Sequence, residues 1–170
     1  MAGSERSYEK ITGDDLAHLA MLAAEDRQRF FVRNVQLARL YRWRILCTAL
    51  CQGAALHYVN GKNGIKDFDV WTFLVEHPAR GFPARRPVMN ADFGFSRFGR
   101  NPADDGFIGR RVDFLLRGIR CRLGSDPVEA LRRYLAESRT KSASCLSKKA
   151  VVIIEPKSLR GAVVWPLNDS

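Results

Sequence analysis

The sequence predicts an α+β fold, of mixed α/β type, in which a small mixed β-sheet is backed by helices. Two observations support this class. Some segments space their apolar residues as helices do, and others are rich in aromatic and β-branched residues without strict alternation. Such a mixture is typical of a compact α/β or α+β domain. The length of 170 residues suits a single domain spanning residues 1–170.

The first part of the chain is predicted to form an N-terminal helical extension over residues 1–41. Thr12 is a suitable N-cap because Asp14 and Asp15 follow it in the first turn. Apolar residues then recur at helical spacing to about residue 41, as one long helix or as two short ones. Residues 1–11 are polar, and we expect them to be loosely held.

Residues 42–120 are predicted to form the core of the domain. Residues 43–50 are apolar enough for either a helix end or a first strand, and periodicity does not decide between them. Residues 53–59 are typical of a short helix that ends at an Asn/Gly turn over residues 60–64. The strand-like segments of this core are residues 65–75, 88–95 and 110–119.

Residues 121–170 are predicted to contain a C-terminal helix and strand. Pro127 is suited to the first helical turn, and the helix is expected to continue through Glu137. A polar Ser/Lys segment over residues 138–149 then leads to the apolar, strand-like residues 150–156.

The chain is strongly basic. It carries 28 Lys+Arg against 18 Asp+Glu, for a net charge of +10 and a pI of about 10. This balance favours acidic partners such as RNA, DNA, nucleotides or phosphorylated ligands, although a solvated basic face would produce it too. The arginines that flank the predicted core strands, and that could bind a polyanion, are Arg85, Arg86, Arg97, Arg100, Arg110 and Arg111.

The four cysteines form no C-x-x-C pair, which argues against a zinc knuckle or a dithiol redox motif. We expect reduced thiols that are mostly buried. The N-terminus has no apolar signal core, and no uninterrupted apolar stretch approaches the roughly 20 residues of a membrane span. These features predict a cytoplasmic protein with no membrane partner.

Three acids lie among apolar neighbours in the strand-like segments: Asp67, Asp69 and Asp113. Because strand side chains alternate between faces, Asp67 and Asp69 are predicted to point the same way, with Cα atoms about 7 Å apart. Carboxylates in apolar surroundings are costly to desolvate unless a cation compensates them. The pattern therefore predicts a site for Mg²⁺ or Mn²⁺, and the alternative is three charged positions facing solvent from a half-exposed sheet.

A glycine precedes the first two acids at the start of the predicted short helix. Gly53 would let backbone N–H groups approach phosphate oxygens, and the helix N-terminus would favour their negative charge. Gln52 and Lys66 are near enough in sequence to contact the same phosphates. Their alternative interpretation is that of solvated loop residues.

Residues 45–120 resemble the nucleotidyltransferase superfamily of DNA polymerase β, especially its small, minimal bacterial members. The resemblance consists of a glycine at a helix start, an Asp-x-Asp strand fourteen positions later and an apolar-flanked Asp on a later strand. It implies a nucleotidyltransferase-like fold with Asp67 and Asp69 as metal ligands, Asp113 as a ligand and potential base, and Gly53 as a phosphate contact. The nucleotide-binding set that the resemblance implies also includes Ala54, which departs from the family pattern because Ser or a second Gly usually stands there.

The resemblance implies an enzyme that moves a nucleoside monophosphate from an NTP to a hydroxyl of RNA, a protein or a small molecule. The alternative is a catalytically inactive module of the same fold that binds nucleic acid or a protein partner. Ala54 and the absence of a second domain favour that alternative, whereas the intact acids favour the enzyme. A metal-dependent nuclease using the same acids is a third, weaker hypothesis.

Overall fold

A computed structural model describes residues 5–83 and 89–167. It confirms the α+β class, because one mixed sheet of six strands is combined with helices. In chain order the elements are α1 (Gly13–Arg33), α2 (Val35–Tyr41), β1 (Ile45–Cys51), α3 (Gln52–Asn60), β2 (Phe68–Val75), β3 (Met89–Asp92), β4 (Arg111–Ile119), α4 (Pro127–Glu137), α5 (Lys141–Leu146), β5 (Ala150–Glu155), a 3-10 turn (Lys157–Leu159) and β6 (Val163–Trp165).

The strands lie in the order β3-β4-β2-β1-β5-β6. The neighbours β2 and β4 are parallel, and the other neighbouring pairs are antiparallel. Because β1 runs antiparallel to both β2 and β5, its C-terminal end lies beside the N-terminal ends of β2 and β5. The start of α3 therefore falls at the same end of the sheet as the first residues of β2, β4 and β5.

The two faces of the sheet have separate hydrophobic cores. On one face, α1 and α3 pack against Phe68 and Val70 of β2. On the other face, α4 and α5 pack against Trp71 and Phe73 of the same strand. Asp69 is two residues before Trp71 on the same strand, so its side chain lies on the face that α4 and α5 cover.

The N-terminal segment differs from its prediction. Thr12 does cap α1, and its side chain and that of Asp15 form a reciprocal capping box. Residues 5–11, however, are not loosely held, because the backbone of Ser7 exchanges two hydrogen bonds with Ile65 and Ile11 is buried. Arg110 also donates to the carbonyl of Glu5 over 2.6 Å. Local sequence gives no sign of these long-range partners.

The ambiguous residues 43–50 belong mainly to a strand, β1. The apolar residues at helical spacing before them form two helices, α1 and α2, which are separated at Asn34. The strand predicted over residues 65–75 starts only at Phe68. Of the strand predicted over residues 88–95, the described residues form β3 at Met89–Asp92, and residue 88 lies outside the described part of the chain.

The C-terminal region contains more structure than the predicted helix and strand. Helix α4 begins and ends as expected, with the Asp126 side chain accepting from the Val128 N–H at 2.9 Å. The polar segment 138–149 contains a further helix, α5, whose buried face consists of only Ala143 and Leu146. Two apolar residues are too few to establish a helical period. The three-residue β6 was missed for the same reason of length.

No helix in the described part of the chain is long and apolar enough to cross a membrane. The four cysteines are free thiols, as predicted. They are less buried than expected, since Cys47 and Cys51 are buried, Cys121 is partly buried and Cys145 is exposed.

Candidate active site

The three acids meet at one end of the sheet. Asp69 lies opposite Asp113 in the parallel pair of β2 and β4, and opposite Cys51 in the antiparallel pair of β2 and β1. One carboxylate oxygen from each of Asp67, Asp69 and Asp113 lies within 4.8 Å of the others. The strand register thus brings together acids that are more than 40 residues apart in the chain.

One detail of this arrangement differs from the prediction. Asp67 is not a strand residue, because β2 begins at Phe68. The preceding backbone at Ile65 pairs with Ser7 of the N-terminal segment and has not yet joined the sheet. The strand-alternation argument therefore does not apply to Asp67, although its carboxylate still reaches that of Asp69.

Crowding and burial change the proton affinities of the site. Burial, reinforced by the nearby carboxylates of Asp67 and Asp113, raises the pKa of Asp69 to about 7 despite the opposing charges of Arg111 and Lys149. Burial also raises the pKa of Asp113, although Arg111 opposes this change. A bound cation would stabilise the ionised form of these acids.

Arg111 supplies the positive charge nearest to the acids. Its Nε donates to the Oδ1 and Oδ2 atoms of Asp113, at 3.0 and 3.2 Å, and its Nη2 donates to Asp67 Oδ2 at 3.1 Å. The remaining nitrogen, Nη1, donates to Oδ1 of a fourth acid, Asp104, at 2.8 Å. One guanidinium thus connects three carboxylates that come from three segments of the chain.

The donor set of the site fits a divalent cation such as Mg²⁺ or Mn²⁺. Such ions bind carboxylate oxygens, and three of these converge here in a partly dehydrated environment. Burial first, and then the carboxylates of Asp67 and Asp113, raise the pKa of Asp69 despite Arg111 and Lys149, so a cation among these acids would favour its ionised form. Asp67, Asp69 and Asp113 are the residues that would hold the ion.

The N-terminus of α3 forms the second side of the site. Gly53 lies in its first turn, and a methyl group added there would approach Asn63 Nδ2 to 3.0 Å and Lys149 Nζ to 3.9 Å. Asn63 Nδ2 donates to the carbonyl of Gly53 at 2.9 Å. Glycine therefore allows an amide and an ammonium to lie close to this helix start, which is an environment suited to an anion.

Gln52 adopts an unusual backbone conformation at the junction of β1 and α3. Its φ is 62°, in the left-handed region that residues other than glycine rarely adopt. Its side-chain Nε2 lies 3.0 Å from the Cys145 sulfur and so connects the start of α3 to α5. Backbone strain of this kind often occurs at functional sites, where the surrounding structure maintains it.

The other two predicted nucleotide contacts are placed differently. The Ala54 side chain is buried in the core beneath α3, so only its backbone N–H could contact a phosphate. The Lys66 ammonium pairs with Glu5 at 3.1 Å. This partner lies in the N-terminal segment, so Lys66 is engaged away from the three acids although it directly precedes Asp67.

Most of the flanking arginines stabilise the fold in the described structure. Arg97 pairs with Asp15, and the buried Arg110 donates to three backbone carbonyls. Arg100 donates to the carbonyl of Asp104 at 3.0 Å. Arg97 and Arg110 thus have partners within the fold, and binding of a polyanion by this set of arginines stays a prediction. The residues of this set that lie outside the described part of the chain are Arg85 and Arg86.

Sequence reasoning missed three residues of the site. Arg111 was predicted as a polyanion contact, yet its position two residues before Asp113 on one strand already places both side chains on the same face. Asp104 lies in a turn, where no periodicity indicates its direction. Lys149 precedes β5, and only the pairing of that strand with β1 places it beside Gly53.

Comparisons of the chain with family models, with curated proteins and with solved structures gave no match. The site is therefore interpreted from its own geometry.

Proposed function

We propose that this protein is a nucleotidyltransferase that moves a nucleoside monophosphate from an NTP to a hydroxyl acceptor with the help of divalent metal ions. The observation that carries the proposal is the convergence of Asp67, Asp69 and Asp113 at the same sheet end as the start of α3. The first feature suits metal ions and the second suits phosphates, which are the two requirements of phosphoryl chemistry.

In the proposed reaction the acceptor oxygen forms a bond to the α-phosphorus, and the bond from this phosphorus to the pyrophosphate oxygen breaks. Divalent ions at the three acids would neutralise charge on the attacking and leaving oxygens. Asp113 is the proposed recipient of the hydroxyl proton. Pyrophosphate leaves as the second product.

The triphosphate is proposed to lie against the α3 N-terminus. Gly53 permits close approach of the phosphates to the backbone, and the Lys149 ammonium supplies a positive charge beside Gly53. Asp69 lies within electrostatic reach of the same Lys149. A phosphate chain between Lys149 and the metal ions would thus be compensated from both sides. A cytoplasmic location, where NTPs are available, fits this proposal and the free thiols.

The proposal is tested by label transfer from each α-³²P NTP to total cellular RNA and protein, in the presence of Mg²⁺ or Mn²⁺. The inactive reference is Asp67→Asn combined with Asp69→Asn, which keeps side-chain size. Asp105→Asn is the matched control, because Asp105 is fully exposed in the loop that also carries Asp104. Label from wild type and the control alone supports the proposal. Equal labelling by all three proteins contradicts it.

A second candidate is an inactive module of this fold that binds nucleic acid or a protein partner. The observation that favours it is Arg111, whose guanidinium already pairs with Asp67 and Asp113. A protein that needs no metal could retain this arrangement permanently. Absence of label together with unchanged ligand binding in the double variant would favour this candidate.

A further inference from the structure

Arg111 and a metal ion would need the same carboxylates. The Arg111 guanidinium donates to both oxygens of Asp113 and to one oxygen of Asp67. These two residues also belong to the triad whose oxygens lie within 4.8 Å of one another. Because carboxylate lone pairs that accept from a guanidinium are less available to an ion, the two ligands compete.

Asp104 offers Arg111 another position. This acid is only 9% exposed, and its Oδ1 accepts from Arg111 Nη1 at 2.8 Å. Its second oxygen, Oδ2, is buried and has no hydrogen-bond partner among the residues that the structure describes. A buried carboxylate oxygen without a donor is unfavourable, and a bidentate pair with Arg111 would satisfy it.

The surroundings allow such a movement. The loop position of Asp104 is held by its backbone, since its N–H donates to Asn101 at 2.9 Å and its carbonyl accepts from Arg100 at 3.0 Å. The Arg111 side chain, in contrast, is 31% exposed. Because Asp104 is held in place and the Arg111 side chain is partly exposed, the guanidinium is the group that can move between the carboxylates.

We propose that Arg111 is an exchangeable counter-ion of the site: it pairs with Asp67 and Asp113 when no metal is bound, and it moves to both oxygens of Asp104 when a divalent cation binds. The inference rests on the proposed function, because it assumes that the three acids bind metal. It accounts for the presence of a guanidinium among the carboxylates that are proposed to bind metal. It also explains the orphaned oxygen of Asp104, and it implies that free metal binds weakly.

The test measures Mn²⁺ binding to the full chain without nucleotide, by electron paramagnetic resonance of free Mn²⁺. Arg111→Gln removes the competing guanidinium and is expected to tighten binding about tenfold, within the coupling range of residues in one network. Lys148→Gln is the control, because it removes the same charge from an exposed residue that is adjacent in sequence to Lys149 and has no part in the proposed exchange. Its expected effect is below about threefold. Equal effects of both variants would mean general electrostatics and would overturn the inference.

A double-mutant cycle examines the role of Asp104. Asp104→Asn alone is expected to weaken Mn²⁺ binding about tenfold, because Arg111 loses its alternative partner. In the Arg111→Gln background the same change should have less than about a threefold effect. Additive effects in the two backgrounds would show that Asp104 acts only through its own charge, and would overturn the proposed exchange.

Two further comparisons keep the outcomes distinct. Arg111→Lys preserves the charge with fewer donors, so it is expected to fold if Arg111→Gln does not, and to tighten binding to an intermediate extent. Unchanged binding in a folded Arg111→Lys would also count against the exchange. If Mn²⁺ binds wild type and is lost in Asp67→Asn, yet no Arg111 variant tightens it, only this inference fails. If no variant binds Mn²⁺ at the triad, the metal-dependent function fails with it.

Discussion

Asp69 lies directly opposite Cys51 across β2 and β1, so that a carboxylate is the neighbour of a fully buried thiol. Burial raises the pKa of the Cys51 thiol well above its usual value, and the Asp69 carboxylate raises it further. The pKa of Asp69 itself is raised to about 7. This end of the sheet therefore disfavours negative charge unless a cation is present.

The first prediction is that Asp69→Asn stabilises the protein at high pH. The folded protein keeps a proton on Asp69 up to about pH 7, whereas the unfolded chain loses it near pH 4. The folded state thus binds more protons between these values, and stability from this group falls as pH rises from about 4 to 7. Without metal, about three pKa units at about 1.4 kcal/mol each predict that the variant gains about 4 kcal/mol at pH 8 and almost nothing at pH 4.

Urea unfolding in a chelator at both pH values measures this difference. Asp105→Asn serves as the control, because it removes a fully exposed acid and should follow wild type at both pH values. A loss of stability in Asp69→Asn at pH 8 would show that the Asp69 charge is compensated in the folded state.

The second prediction concerns the strained residue at the start of α3. Gln52→Gly should stabilise the fold by about 1 kcal/mol, because glycine adopts a positive φ without steric cost. The same change removes the contact with Cys145 and loosens the proposed phosphate site, so NTP affinity should fall. Thermal unfolding and equilibrium NTP binding measure the two effects. Lower stability with unchanged NTP binding would contradict the interpretation that the backbone of Gln52 is strained in order to form the phosphate site.

The third prediction separates two adjacent lysines. Lys149→Gln should weaken NTP binding about tenfold, because it removes the ammonium beside Gly53. A loss of this size is typical of a hydrogen bond to a charged group. Lys148→Gln removes the same charge one residue earlier and should change affinity by less than about twofold. Titration with a fluorescent NTP analogue compares them. Equal losses would indicate that only the overall positive charge attracts the nucleotide.

The fourth prediction concerns the start of α1. The Asp15 carboxylate accepts from the N–H of the N-cap Thr12 and pairs with Arg97. Burial opposes its charged form, but these bonds prevail and lower the pKa of Asp15. Its ionised form therefore stabilises the fold above the unfolded pKa near 4, and this contribution is lost as pH falls below it.

Asp15→Asn should cost about 2 kcal/mol at pH 7 and less at pH 3. The matched control is Asp14→Asn, an exposed acid in the same helical turn, which should cost little. Chemical unfolding at both pH values tests the pair. A pH-independent loss in Asp15→Asn would exclude the ionised carboxylate as the cause.

Local signals in the sequence predicted much of the fold. Helix α4 has proline in its first turn and an acidic cap, and it begins and ends as expected. Strand register, which depends on tertiary pairing, was supported only indirectly, because apolar neighbours on both sides of Asp69 and of Asp113 indicate buried strands. Local sequence did not establish that the two strands are neighbours, and it is the parallel pairing of β2 with β4 that places Asp113 beside Asp69.

Other features depend on partners distant in sequence. Residues 5–11 are held in place by hydrogen bonds with Ile65, Arg97 and Arg110. Their polar composition alone predicts a loosely held segment. The position of Lys149 depends on the pairing of β5 with β1. The spacing of Arg111 and Asp113 on one strand indicates that these two side chains share a face, but the contacts of Arg111 with Asp67 and Asp104 depend on tertiary structure.

The central claim is that the acids transfer a nucleotidyl group. The most direct measurement compares paired reactions containing α-³²P NTP or γ-³²P NTP, each with Mn²⁺ and with the acceptor fraction that becomes labelled. The proposal predicts acceptor label from the α-position alone, release of the γ-label as pyrophosphate, and loss of both in the variant that combines Asp67→Asn and Asp69→Asn. Acceptor label from the γ-position, or α-label that persists in that variant, would contradict it.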